Sequence, residues 1–314
     1  MFGTGRALMV SAVADVSPLT RYLVATRALD PPCTLSSPRS VATLGGTPTL
    51  VGLPYDASSS FRRGPAAAPA AIRDALWSPS ANSWTELGVN IGAERVITDA
   101  GDLELEGCSP SDARRTIENG IARLLSMGAR TFALGGDHSV TYPIMRAVRR
   151  HVPSLTILHV DAHPDLYDEL DGDRFSHASP FARIMEEGLA DRLVQVGIRT
   201  MTGHQRAQAR RFGVEVIEMR SIRDEIRISL EAPTYVSIDV DALDPAFAPG
   251  VSHHEPGGLS TRQLLSLVQS IEAPIVGADI VELNPSRDTS GMSAMVAARV
   301  LRELLGVMLR SAPS

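Results

Sequence analysis

Eight short runs rich in β-branched and other apolar residues recur along the chain, near 48–53, 95–98, 131–134, 156–160, 193–197, 214–218, 234–240 and 275–281. Short apolar runs of this kind read as buried strands. Helical patterns separate most of them. One covers Ser111–Met127, with Asp112 early and Gly128 just past its end, the acidic start and glycine stop that helices favour. Others begin near Pro65, Ser179, Thr202 and Thr261, and a long one fills 291–309. Strands alternating with helices predict a parallel sheet covered by helices on both faces. No linker or fixed-period repeat divides the pattern, so residues 48–314 read as one domain behind an N-terminal extension, 1–47.

Composition narrows the function classes. A chain of 314 residues with 44% hydrophobic side chains is enough for one large α/β core. A net charge of −6 gives no basis for nucleic-acid or acidic-membrane binding, and no apolar run reaches the ~18–20 residues of a membrane helix. Cys33 and Cys108 are too few and too far apart for a disulfide framework, which favours a reduced, cytoplasmic compartment. The N-terminal arginines Arg6, Arg21, Arg27 and Arg39 faintly suggest a transit peptide, but Asp15 and Asp30 interrupt them. All 30 basic residues are arginine, so Schiff-base and phosphate-loop lysines are excluded.

Three strings carry the chemistry: GGDHS at 135–139, DAHPD at 161–165 and SIDVD at 237–241. Each follows a strand-like run, and open α/β sheets place their sites at such strand exits. Together they offer His138, Asp161, His163, Asp165, Asp239 and Asp241. The i, i+2, i+4 spacing keeps these side chains on one side of an extended backbone. Four carboxylates converging on one point repel unless cations sit among them, and two divalent ions supply the balance. Oxygen-rich ligation with two imidazoles and no nearby thiolate suits a hard or borderline ion such as Mn²⁺. Water held by such cations loses a proton near neutral pH (roughly 7 on a single Zn²⁺), giving a hydroxide suited to hydrolysis. Glu282 lies at the exit of another such run, Pro274–Val281. Asp137 and Asp244 read as groups that fix loops or support ligands, Asp99 and Asp102 as strand-end caps, and DELDGD at 168–173 lacks the ligand rhythm of a calcium loop.

The ordered motifs GGDHS, DAHPD and SIDVDALDP resemble those of the ureohydrolases, the arginase and agmatinase family, over about residues 48–310. The likeness is greatest to plant-type arginases, through 58–77, FSHASPFARIMEEG (175–188), FAPGVSHHEPGGLS (247–260) and 281–304. The resemblance implies a three-layer α/β/α sandwich around a mostly parallel eight-strand sheet. It also implies two Mn²⁺ ions, or Ni²⁺ as in some relatives, bridged by Asp161 and Asp239. His138 and Asp165 would complete one ion, and His163 and Asp241 the other. His177, matched through SHASPF, would pass a proton to the leaving amine. The part of Glu282 rests on the same resemblance, which implies a carboxylate accepting paired N–H bonds from a planar guanidinium. Asp165, His177 and Glu282 form the implied catalytic set, and a homotrimer or homohexamer the implied assembly.

The substrate reading rests on the loop 166–177. A small cationic guanidino compound is expected, cleaved to urea and an amine. The plant-type pattern has Asn where this chain has Asp173, and an anionic acceptor there would repel the α-carboxylate of arginine. Asp168, Glu169 and Asp171 add negative charge, whereas Arg174 offers a fork for a carboxylate. The balance favours agmatine, with Asp173, Arg174, Glu282 and His177 contacting substrate. L-Arginine stands second, another guanidino acid third and a non-catalytic arginase-like subunit last.

Overall fold

A computed structural model describes residues 46–223 and 226–310. The expected extension, 1–47, lies outside the described residues except for its last two. Eight strands, β1 (Thr47–Gly52), β2 (Thr98–Asp102), β3 (Ala129–Leu134), β4 (Thr156–Val160), β5 (Arg192–Ile198), β6 (Glu215–Glu218), β7 (Thr234–Asp239) and β8 (Ile275–Val281), make one sheet. Their order is β2-β1-β3-β8-β7-β4-β5-β6, and every pairing is parallel.

Alternate side chains of the strands leave on opposite faces, and both faces are apolar. Leu50, Phe132, Leu158 and Val236 pack with helices α1 (Ala68–Leu76), α6 (Thr261–Gln269) and α7 (Met292–Arg310). Val51, Ala133, Ile157 and Tyr235 pack on the other side, with α2 (Pro110–Ser126), α3 (Thr141–Arg149), α4 (Pro180–Glu186) and Ala209 of α5 (Gly203–Phe212). The result is a three-layer α/β/α sandwich. Strands buried on both faces read as continuous apolar runs, and each large aliphatic side chain so buried contributes roughly 1.5–3 kcal/mol.

Local chemistry sets the helix ends. Ser109 caps α2 by accepting from the Asp112 N–H. Thr202 with Gln205 and Ser260 with Gln263 form reciprocal capping boxes at α5 and α6. Gly213 closes α5 in the left-handed conformation. One element departs from expectation. The strand sought at 95–98 is instead Thr98–Asp102, so Asp99 and Asp102 lie within β2 instead of capping it. This exposed edge strand has no apolar signature. It is held by pairing with β1 and by Arg73, whose guanidinium meets Asp99 at 2.8 Å and Asp102 at 2.5 Å.

Because all pairings are parallel, the carboxyl ends of the strands share one edge. The central four, β3-β8-β7-β4, carry GGDHS, Glu282, SIDVD and DAHPD side by side.

Candidate metal centre

His138 opens the turn after β3 and is fully buried. Its Nδ1 lies 3.2 Å from Asp161 Oδ2, 3.1 Å from Asp165 Oδ2 and 3.3 Å from Asp239 Oδ2, yet has no hydrogen-bond partner. The other ring nitrogen explains this. Nε2 is 3.0 Å from the Ser237 hydroxyl, which itself donates to Asp279 Oδ1 at 2.6 Å. With its proton committed to Asp279, the hydroxyl oxygen accepts from Nε2–H. Without a second ring proton, the Nδ1 lone pair then faces three carboxylate oxygens. That arrangement is repulsive unless a cation occupies the space between, as in a ligating imidazole oriented by its other nitrogen.

The second half of the cluster adjoins the first. His163 Nδ1 is 3.1 Å from Asp241 Oδ2 and 3.5 Å from Asp161 Oδ1. Asp161 thus shows one oxygen to each half, and Asp239 lies beside it with Oδ1 accepting from the Asp241 N–H at 2.7 Å. Burial pushes the Asp239 carboxyl well above the usual range, and repulsion from Asp241 and Asp161 adds to it. Burial alone would lower His138 and His163, but the facing carboxylates outweigh it and raise both. The cluster demands positive charge, and the donor set of oxygens and imidazoles fits hard or borderline divalent ions. All six residues expected from the sequence are brought together.

Glu282 follows β8 and stands over this cluster. Its backbone is left-handed (φ 62°), as is that of Asp165 (φ 47°). Such conformations cost of order 1–3 kcal/mol in non-glycine residues and are retained where a side chain must be re-aimed. Glu282 Oε1 accepts from the His138 N–H at 2.9 Å, whereas Oε2 is buried with no partner. His177 Nδ1 lies 3.5 Å from Oε1 and its Nε2 lies 2.9 Å from the Ser60 hydroxyl. Burial lowers the His177 pKa, but the Glu282 carboxylate prevails and pushes it up to about 9.

A cavity of about 230 Å³ joins these groups, with His163, Asp165, His177, Asp239, Asp241 and Glu282 in its floor. Ser60, Tyr167, Thr200, Thr202 and Gln205 add neutral hydrogen-bonding groups to its wall. Asp173 and Arg174 are not in that wall. Asp173 Oδ1 turns back to accept from the Phe175 N–H at 2.8 Å. Arg174 is taken up by Asp168 at 2.8 Å and Glu186 at 2.9 Å, and Arg183 also neutralises Asp168. Asp137 and Asp244 spend their oxygens on loop backbone and hydroxyl groups.

Three contributors escaped the sequence reading. His159 lies in β4 with Nε2 2.7 Å from Asp161 Oδ2; its i, i+2 relation to Asp161 was the available signal. Asp279 is a lone acid inside the apolar strand β8, and that isolation was its signal. His253 stacks on His177 with ring centroids 5.1 Å apart, and no spacing pointed to it.

Fold and site together define an α/β/α protein with a His/Asp cluster at the carboxyl edge of its sheet that could hold metal. The chain belongs to the arginase family, which matches residues 47–306. It is therefore a ureohydrolase, acting on the C–N bond of a guanidino group, in a family of binuclear metal enzymes. It is 45% identical to "Arginase, mitochondrial" of Medicago truncatula, across 94% of each chain. To "Arginase 1, mitochondrial" of Arabidopsis thaliana it is 49% identical, across 84% of this chain and 82% of that one. The solved arginase from Medicago truncatula superposes with a TM-score of 0.78 at 46% identity, covering 86% of this chain and 89% of the other. A hypothetical agmatinase from Burkholderia thailandensis superposes at 0.76 with 29% identity, covering 86% and 88%.

These likenesses overturn the preference for agmatine. Relatives at 45–49% identity carry the name arginase, while the agmatinase structure stands at 29%. The physical reason lies in the loop. Its acidic residues do not face the cavity as an anionic entrance, because Asp173 bonds its own backbone and Asp168 is ion-paired.

Proposed function

We propose that the protein is an arginase, hydrolysing L-arginine to L-ornithine and urea with two Mn²⁺ ions. The observation that carries this reading is the 45–49% identity to plant arginases over most of the chain, joined to the cavity-lining Glu282, one of whose carboxylate oxygens has no partner. When bound, the ions supply charge compensation and an acidified water. His138, Asp161, Asp165 and Asp239 would hold one ion, and His163, Asp161, Asp239 and Asp241 the other. Ni²⁺ is the alternative metal. Glu282 Oε2 accepts from the guanidinium and fixes its plane. The Thr200 hydroxyl and the Gln205 NH₂, whose carbonyl end is taken by the Thr202 capping box, suit an amino-acid head, since neutral donors serve a carboxylate where aspartates would repel it. By family alone, the assembly proposed is a homotrimer or homohexamer. Among the described residues no helix is long and apolar enough to cross a membrane. Cysteine usage supports a cytoplasmic location, although the plant relatives are named as mitochondrial proteins.

Steady-state kinetics on the Mn²⁺-loaded protein tests the substrate. L-Arginine is expected to exceed agmatine in kcat/KM by at least tenfold, ~1.4 kcal/mol in transition-state binding. A preference for agmatine would reject this reading.

His177, beside Glu282 in the cavity lining, is the residue we assign to give a proton to the leaving amine. In the metal-free chain burial lowers the His177 pKa, but the Glu282 carboxylate outweighs it and pushes it up to about 9, so this neighbour favours the protonated ring. His177→Ala should slow turnover by roughly two to four decades, the usual scale of general acid–base assistance, without loss of metal. Added imidazole should restore part of the rate. Unchanged turnover between about pH 7 and 9 would remove His177 from the mechanism.

A further inference from the structure

His159 sits close enough to His138 and Asp161 for the three to share an ion by distance alone. We propose instead that His159 is a positioning residue: its ring N–H holds the bridging carboxylate of Asp161, and Gln195 fixes the tautomer that does so. The proposal rests on the metal centre described above and not on the choice of substrate.

The parallel register sets His159 of β4 directly opposite Gln195 of β5. Both side chains are fully buried, and the imidazole stacks on Phe181 with centroids 3.9 Å apart. The hydrogen bonds leave one consistent proton arrangement. Gln195 Nε2 lies 2.6 Å from the Pro164 carbonyl oxygen, which can only accept. That contact identifies the atom as the amide nitrogen. The same NH₂ lies 3.0 Å from His159 Nδ1, so Nδ1 is the acceptor and carries a lone pair. The ring proton is therefore on Nε2, and it is donated to Asp161 Oδ2 at 2.7 Å. Neither ring nitrogen retains a lone pair for a cation: one accepts from Gln195, and the other bears hydrogen.

The consequence falls on Asp161. Its Oδ2 is held by His159, and its Oδ1 accepts from the His163 N–H at 2.6 Å. Two donors, one on each oxygen, fix the rotation of the carboxylate so that each oxygen meets one half of the cluster. Pro164 belongs to DAHPD, so Gln195 also ties the motif's backbone to the strand that orients its carboxylate. Partners of this kind are commonly worth 10–100-fold in metal affinity.

The test is Mn²⁺ binding, measured by competition with a chromogenic chelator, alongside melting of the metal-free protein. His159→Phe keeps a ring against Phe181 but removes the N–H; affinity for at least one ion should fall about 10–100-fold. His159→Gln returns an amide donor at similar reach and should recover most of that loss. Wild-type affinity in His159→Phe, or no recovery in His159→Gln while its metal-free melting is normal, would overturn the proposal. The second result would mark His159 as a ligand. If the Phe variant does not fold, Gln195→Met tests the same chain by removing the donor to Nδ1. Weakened Mn²⁺ binding is then expected, and unchanged binding overturns the proposal. Because turnover is not read, a different substrate leaves the test intact, whereas a wild-type protein that binds fewer than two ions refutes the metal centre itself.

Discussion

Glu282→Gln should lower kcat/KM for L-arginine by about two to three decades while both metal sites stay filled. Glu282 presents two oxygens with different duties. Oε1 accepts from the His138 N–H, and Oε2 is buried and unpaired in a residue that lines the cavity. An amide cannot perform both. If its NH₂ faces His138, two donors oppose each other. If it faces the cavity, the guanidinium meets a donor instead of a carboxylate. Half-emptying a buried charged pair commonly costs ~3–5 kcal/mol, and in the transition state that becomes the stated loss in rate. Burial pushes the Glu282 pKa up, but His177 and the His138 N–H hold it below the usual range, so the anion is present at neutral pH. Kinetics paired with elemental analysis decides the matter. Near-normal turnover with both ions bound would sink the assignment.

The sheet was legible in sequence because its strands are buried on both faces. Runs such as Thr156–Val160 and Ile275–Val281 leave few other readings. Thr98–Asp102 was not legible, since an exposed edge strand stabilised by Arg73 has no apolar run to betray it. Likewise, the six ligand candidates could be read because strand exits and period-two spacing depend on order along the chain. The aim of Glu282 could not, because a left-handed backbone at a glutamate leaves no mark in composition. Asp173 shows the converse error. Its position in the loop is plain from sequence, but the Leu170–Asp173 pairing and the Phe175 N–H turn its carboxylate away from the cavity. Inferring substrate from the charge of a loop residue presumes a direction that only folding supplies. His159 and Asp279 had signals, one in parity and one as an acid in a buried strand, and both act through a neighbour on the centre itself.

Asp239→Asn should lose at least one metal ion, and its effect on stability should change sign with metal. In the loaded protein Asp239 would contribute charge to both ions, so the variant should melt lower. In the metal-free protein it is a buried carboxylate pushed well above the usual range, repelled by Asp241 and Asp161. Replacing a carboxyl that resists ionisation by an uncharged amide should leave the metal-free variant as stable as metal-free wild type, or more so. Metal linkage sets the scale: an ion at a hundredfold its Kd stabilises by about 2.7 kcal/mol. The pH dependence follows from the imidazoles. His138 and His163 are raised above the ordinary 6.5 in the folded, metal-free chain. Their contribution is fully present below about pH 6.5 and is lost as pH rises through the folded values. Asp239 acts in the same direction, because its raised pKa makes its burial costlier as it ionises. Asp161, held well below the carboxylate range, is ionised throughout this window and adds no slope. Metal binding replaces the retained protons, so the melting gap between loaded and chelated protein should widen from about pH 6.5 to about pH 8.5. Calorimetry on both forms at the two pH values checks it. A gap that narrows, or full two-ion occupancy in Asp239→Asn, would refute a centre built on these carboxylates.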